Sequence, residues 1–237
     1  MTKRGISARY KDMTTEVPEA DGRSRMDVKK DAQRQALLDA ASEMLVHEGP
    51  GALSLRKLAK NAGASTMAVY TAFGGKDGLI EALFEEAFDR LAAVQAAVPR
   101  DPDPLKWLHD LGAAYRSFAL ANPAYYALMI SVTMPLTGHV LDANEDTPPA
   151  RGISHHPAYS CLYQAVESCI DEGLFHEGLV AGDVADMLWA NVHGLCSLEL
   201  AGYYASEKAA QARFDLSSET IIRGLISDKG RLHLDRR

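Results

Sequence analysis

Cysteine is scarce in this chain of 237 residues, tryptophan occurs twice, and aromatic residues make up 7% of the total. The three cysteines, Cys161, Cys169 and Cys196, are odd in number, widely spaced and set in apolar sequence. That suits reduced thiols packed as small hydrophobes and excludes a disulfide framework or a zinc site. Charged or amide side chains interrupt every apolar stretch before the ~18–20 residues a membrane span needs. Lys3, Arg4, Arg9 and Lys11 open the chain with no apolar run behind them, so no signal peptide is read and a cytoplasmic protein is expected. Catalytic and cofactor signatures are missing too. His47-Glu48 and His176-Glu177 each lack the second histidine of a metalloprotease helix, and no nucleophile elbow is visible. Gly74-Gly75-Lys76-Asp77 lacks the first glycine, the hydroxyl residue and the strand of a phosphate loop. His155-His156, with His139 and Cys161, has no metal-ligand spacing. The expectation is no enzyme, no catalytic residue, no metal and no cofactor.

What is present is an ordinary globular composition, 47% hydrophobic and 24% charged, with an uneven charge. Through Gly78 there are 13 Lys and Arg against 10 Asp and Glu; the remainder has 12 against 22, so most of the net charge of −7 lies in the rear. Only the front attracts a polyanion, and the rear repels one.

Apolar residues recur at helical spacing, and no convincing strand is found. Residues 1–27 mix charges of both signs without periodicity and read as a disordered tail. A first helix from Val28 buries Leu37, Ala41, Met44 and Leu45 and ends at Glu48-Gly49-Pro50. Ser54 caps a short second helix carrying Leu55, Leu58 and Ala59. Gly63 supplies the left-handed turn, and Ser65 caps a third helix from Thr66 to about Ala72. A fourth runs from Lys76 until Pro99 breaks it. Further helices are expected at 104–121, 123–134, 155–173, 182–206 and 217–229, with 138–152 as a loop.

Two short helices joined by a glycine turn are stable only against a longer partner, which is the helix-turn-helix arrangement. Its second helix would present Ser65, Thr66 and Met67 to base edges in the major groove. Tyr70 would reach a phosphate, while Val69 and Phe73 point back into the core. Lys76 pairs a cation with the free N–H groups of a helix start, and Ser54 and Thr71 complete the expected DNA-binding set.

With these residues in view, Leu55-Arg56-Lys57-Leu58-Ala59 followed by GASTMAVYTAFGGKDGL resembles the tetracycline-repressor-like (TetR/AcrR) family. Gly63, Ser65, Tyr70, Phe73 and Lys76 occupy that family's recurring positions. Ala72 departs from it, since a histidine often precedes the phenylalanine there, so contacts made by relatives at that position do not carry over. The segment Asp186–Ala201 resembles the Trp/His/Gly-signature (WHG) carboxy-terminal domain through Trp189, His193 and Gly194. These resemblances imply an all-α protein with three parts: a tail (1–27), a three-helix DNA-binding domain (28–78), and an antiparallel helical bundle for ligand binding and dimerisation (79–237). They further imply a homodimeric repressor on a double-stranded, palindromic operator, released by a small-molecule inducer. The rival reading is a helical binding protein or enzyme with a vestigial front domain.

The helix at 186–201 is apolar on nearly every side and must be buried on more than one face. Its small residues Ala190, Gly194, Ser197 and Ala201, with Ile222 and Leu225 further on, are the expected dimer interface. Trp107, Tyr115, Phe118, Tyr125, Tyr126, Met129, Trp189 and His193 are the candidates for a ligand cavity. Each is also an ordinary core residue on sequence grounds, His193 included, provided its ring finds a partner.

Overall fold

The computed structural model describes residues 24–48, 53–129 and 157–236. Those residues form ten helices: α1 Arg25–Glu48, α2 Leu55–Asn61, α3 Thr66–Phe73, α4 Lys76–Ala96, α5 Pro104–Ala121, α6 Pro123–Met129, α7 Pro157–Asp171, α8 Ala181–Leu200, α9 Glu207–Leu225 and α10 Asp228–Leu234. Among the described residues the only β pairing is an isolated bridge between Phe175 and Ile226. The fold is all-α, as the apolar spacing predicts.

The two caps read from the sequence, Ser54 and Ser65, are in place, and Asp103 adds a third at the start of α5. Ser54 Oγ accepts from Lys57 N–H, Ser65 Oγ from Ala68 N–H, and Asp103 Oδ1 from Leu105 N–H ahead of Pro104. Each satisfies a backbone donor that the first helical turn leaves unpaired. The helix at 104–121 has the expected bounds, whereas α1 begins at Arg25 and takes in the last residues assigned to the tail. The expected loop at 138–152, the residues 1–23 and the end of the helix expected to reach 134 lie outside the described residues.

The rear departs from expectation in two places. α8 stops at Leu200, six residues early, because Gly202 adopts φ 75° and its turn satisfies the last carbonyls: Tyr203 N–H donates to Leu198 O at 3.1 Å. α9 begins at Glu207, ten residues early, where Ser206 caps Ala209 N–H; its first turns, Glu-Lys-Ala-Ala-Gln-Ala, have helix propensity but little apolar periodicity. Ile226 is extended and bridged to Phe175, so the helix expected to reach 229 breaks there. Ser227 then caps α10, which the sequence reading lacks.

The described residues form three regions of core. The front one joins α1–α4 through Leu37, Leu38, Leu58, Val69, Leu79 and Leu83, and it also takes in Tyr125 and Leu128 of α6. The rear is built on α5, α7, α8 and α9, with Leu111, Val166, Phe175 and Ala185 at its centre. α4 joins the front to a third cluster between them: Leu79 to Ala87 pack forward, and Phe88 and Leu91 pack against Tyr115, Phe118 and Tyr126. A boundary at residue 78 therefore cuts the first turn of a continuous 21-residue helix.

Candidate nucleic-acid interface and ligand cavity

α3 is eight residues long and buries only Val69 and Phe73. Its remaining face is open: Ser65, Thr66 and Thr71 are exposed, Met67 is 73% exposed and Tyr70 51%. A methionine and a tyrosine left this bare on so short a helix mark a surface made for contact. Thr71 Oγ1 donates to Met67 O at 2.9 Å, which turns its hydroxyl back along the helix. Arg34 of α1 lies over the Phe73 ring, 5.3 Å from its centroid, and fixes the far end of α3.

Lys76 is the first residue of α4 and is exposed. Its N-cap, Gly75, offers no side-chain acceptor, so the N–H groups of that helix start remain free for an anion. Ser54 does cap α2, and Lys57 pairs with Glu48 at the end of α1. One residue here was missed as a determinant. A Cβ on Gly78 would stand 2.1 Å from Phe73 O, so the corner between α3 and α4 closes only over glycine. The pattern Phe-Gly-Gly-Lys-Asp-Gly marks a turn, but it does not reveal which glycine touches backbone.

α1 and α4 run side by side in the same direction. Gln35 Nε2 donates to Glu86 Oε1 at 2.8 Å, and four residues on Arg90 Nη2 donates to Asp39 Oδ1 at 2.6 Å. Tyr125 of α6 donates to the same Asp39 Oδ1 at 2.8 Å and lies beneath the Arg90 guanidinium, 4.0 Å from centroid to Cζ. Desolvation works against the Arg90 charge, but the bonds to Glu86 and Asp39 and the neighbouring Tyr125 hold its pKa above the usual value. Tyr125 therefore ties the rear of the chain to the first helix of the front.

A cavity of about 910 Å³ opens between α5, α8, α9 and α10. Leu105, Leu108, Leu111, Leu188, Val192 and Phe214 supply its apolar wall, and Gln95, at the carboxyl end of α4, reaches it. Of the eight aromatic and polarizable candidates, Tyr115 and Trp189 line it. Trp107 borders a separate, smaller cavity of about 260 Å³ with Arg100, Ser168 and Glu172, and its buried Nε1 has no hydrogen-bond partner among the described residues. Phe118 and Tyr126 are core, Met129 packs against the core, and Tyr125 serves the α1 contact. No residue of α6 lines the larger cavity; α7 contributes Leu162, and α9 and α10 supply walls that the sequence did not mark. Phe214 was missed because the helix was expected to begin at 217, and Asn191 because a lone amide beside Trp189 carries no pattern to mark it.

His193 lies behind that wall. Tyr115 OH and its Nδ1 share a hydrogen bond, Tyr126 OH donates to its backbone oxygen at 2.6 Å, and Ser197 Oγ donates to the same oxygen at 2.8 Å. Trp189 stacks parallel to it, with 16° between the ring planes. Burial holds the imidazole down to about 4, so it is neutral at pH 7. Burial also raises the Tyr115 hydroxyl above its ordinary range and Tyr126 to about 12. Cys196, beneath them, is pushed up to about 12 by burial and stays a thiol.

Ala190 and Gly194 are exposed on α8, alongside Met187 and Leu198, and Ala201 is exposed at its C-cap. The other expected interface residues face inward. Ser197 bonds to Tyr126, Ile222 lines the cavity, and Leu225 is 8% exposed in the rear core. Their position on an apolar helix looks the same in sequence, but Ser197 of α8 and Ile222 and Leu225 of α9 are spent on their own chain. Among the described residues no cluster of His, Cys, Asp or Glu is suited to a metal, and no helix is long and apolar enough to cross a membrane.

Known proteins share this arrangement. The family model described as "Bacterial regulatory proteins, tetR family" matches residues 37–83, and the one described as "Tetracyclin repressor-like, C-terminal domain" matches 108–221, the span that holds Trp189, His193 and Gly194. The HTH-type transcriptional regulator Rv1816 of Mycobacterium tuberculosis is 26% identical over 218 residues, covering 77% of this chain and 88% of its own. A solved protein of Rhodococcus sp. RHA1 is 26% identical, covers 90% of this chain and 100% of its own, and superposes with a TM-score of 0.63. A tetR-family regulator of Shewanella sp. PV-4, at 20% identity, shares the fold over 82% of this chain and 98% of its own with a TM-score of 0.62. The open face of α3, the glycine corner that seats it and the two family matches on either side of α4 agree: this chain is a transcriptional regulator of the tetracycline-repressor family, with its DNA-binding domain at the front.

Proposed function

We propose that the chain acts in the cytoplasm as a two-fold dimer, represses by occupying a palindromic operator, and leaves it when a small molecule fills the cavity beside Trp189. The observation that carries this reading is α4. Its first residue, Lys76, stands beside the reading helix, and Gln95 borders the cavity. Nineteen residues at ~1.5 Å each make a lever of about 28 Å between the two. A ligand that moves Gln95 changes where Lys76 sits, and with it the separation of two recognition helices that must fall about 34–36 Å apart on successive major grooves.

On the operator, Thr66 and Met67 read bases, Ser65 fixes the helix start, and Tyr70, Thr71, Ser54 and Lys76 hold phosphates. The dimer forms through the outward face of α8, Met187, Ala190, Gly194, Leu198 and Ala201, packed with Leu216 of α9 against the symmetry mate. Small residues there allow close helix approach, and Met187, Leu198 and Leu216 contribute the apolar area. The acidic rear keeps each dimer from binding DNA by the wrong end.

Selection from a random duplex pool at moderate salt tests the reading: an inverted repeat is expected, bound by two copies of the chain. Thr66→Ala and Met67→Ala relax the selected sequence, while Lys76→Ala weakens every duplex alike and lowers the salt slope by about 0.9 per phosphate lost. Gly194→Arg splits the dimer without disturbing the protomer, since nothing lies within 4 Å of a Cβ placed there. A chain that selects no sequence, or that stays monomeric on DNA, overturns the proposal.

A further inference from the structure

The polar atoms inside the cavity are few, and where the structure buries them they are uncharged. Gln95 is 4% exposed; its Nε2 donates to Leu111 O at 3.2 Å, and no described residue donates to its Oε1. On the α8 wall, Asn191 Oδ1 accepts from Ser217 Oγ at 2.8 Å, and its amide nitrogen has no described acceptor. One wall thus offers an open acceptor and another an open donor. The charged lining residues Asp215, Glu219, Arg223, Arg231 and Asp235 are all exposed, the acids outnumber the arginines, and Arg223 already bonds to Glu219 at 2.7 Å.

Gln95 lines the cavity, so a ligand that displaces water from its Oε1 must bring a donor in its place or lose affinity. A carboxylate brings only acceptors and would face Gln95 Oε1 with its own oxygens. An ammonium brings donors, but no buried carboxylate lines the wall to replace its water. An alcohol or amide satisfies both open groups and needs no counter-charge. The volume, about 910 Å³, suits a drug-sized molecule whose remaining surface meets leucine, valine and phenylalanine.

We infer that the regulatory ligand is an uncharged, mainly apolar molecule with one polar end that both donates and accepts hydrogen bonds, of the alcohol or amide class, bound by Gln95 and Asn191. The inference rests on the cavity being the ligand site proposed above. It also makes Gln95 the residue that reports occupancy to α4. A donor on Oε1 competes for the orientation of an amide whose other end holds the Leu111 carbonyl.

The test is calorimetric titration of the full chain with three ligands of one chain length: decanamide, decanoate and decylammonium. Decanamide is expected to bind, and each ion to bind at least about 10-fold more weakly. Gln95→Met and Asn191→Ala should each weaken decanamide by about 10-fold. Gly112→Leu fills the space, since a Cβ at Gly112 meets only the Phe214 ring, at 3.8 Å, and it should abolish binding. Decanoate or decylammonium binding as tightly as decanamide overturns the chemical class and leaves the cavity a ligand site. Failure of all three probes, or binding that survives Gly112→Leu, overturns the cavity reading itself.

Discussion

The front and the rear of this chain solve opposite problems with the same kind of helix. In the front, the side chains available for contact point out: α3 commits Val69 and Phe73 to the core and leaves Thr66, Met67 and Tyr70 bare. In the rear, they point in, around a cavity and a neutral cluster of Tyr115, Tyr126 and His193. The polar groups differ to match. Asp39, Glu86 and Arg90 form an ion-paired cluster that solvent still reaches, whereas His193, deeper, is kept neutral by burial. The difference teaches where each half is sensitive. The front answers to salt and to close packing, and the rear answers to pH and to what fills its space.

The largest expected effect sets closed core against open wall. Leu58→Ala, at a fully buried position of the front, should cost about 3–4 kcal/mol, whereas Leu108→Ala on the cavity wall should cost about 2 kcal/mol because its gap opens onto existing space. Chemical denaturation measures both, and equal costs would break the comparison. Next, Gly78→Ala should cost about 2–3 kcal/mol by forcing Phe73 O away, with loss of DNA binding in whatever remains folded.

His193 gives the pH arm. Its folded pKa of about 4 lies below the unfolded 6.5, so the unfolded chain takes up the proton first. The contribution is complete above 6.5, is lost as pH falls towards 4, and is flat below that. Allowing for its partial contact with solvent, the loss should be about 1–2 kcal/mol, and His193→Gln should remove that slope from melting curves between pH 4 and 6.5. The smallest effect is Tyr125→Phe, about 1 kcal/mol for the hydroxyl that meets Asp39. Its diagnostic readout is DNA affinity with and without ligand, since a loosened link should narrow the difference between the two states. An unchanged ligand effect would remove α6 from the coupling route.

The front was legible because its signals are local. Ser54 and Ser65 as caps, Gly63 as a turn, and Leu58, Val69 and Phe73 as core are each readable within one or two turns, and the structure has them so. The rear rests on which helix meets which, and no residue announces that. Trp107 and Tyr115 are eight apart on the same helix, yet they border different cavities. Leu225 has the look of an interface residue until Ile226 is seen bridged to Phe175, which turns the end of α9 inward. Gln95 was overlooked for a similar reason. A lone amide near the end of an amphipathic helix reads as surface, and only the fold buries it.

The contact of Tyr125 with Asp39 bears on how far the two halves can be treated as interchangeable modules. A chimaera that joins this DNA reader to the sensing half of a relative, cut at residue 78, would inherit a foreign α6 opposite a native Asp39 and a foreign α4 in place of Glu86 and Arg90. On the proposed function, such a hybrid would bind its operator and bind its ligand, and the two events would no longer inform each other. Moving the junction beyond Met129, so that Gln35, Asp39, Glu86, Arg90 and Tyr125 travel together, is the cut that keeps the sensor wired to the reader.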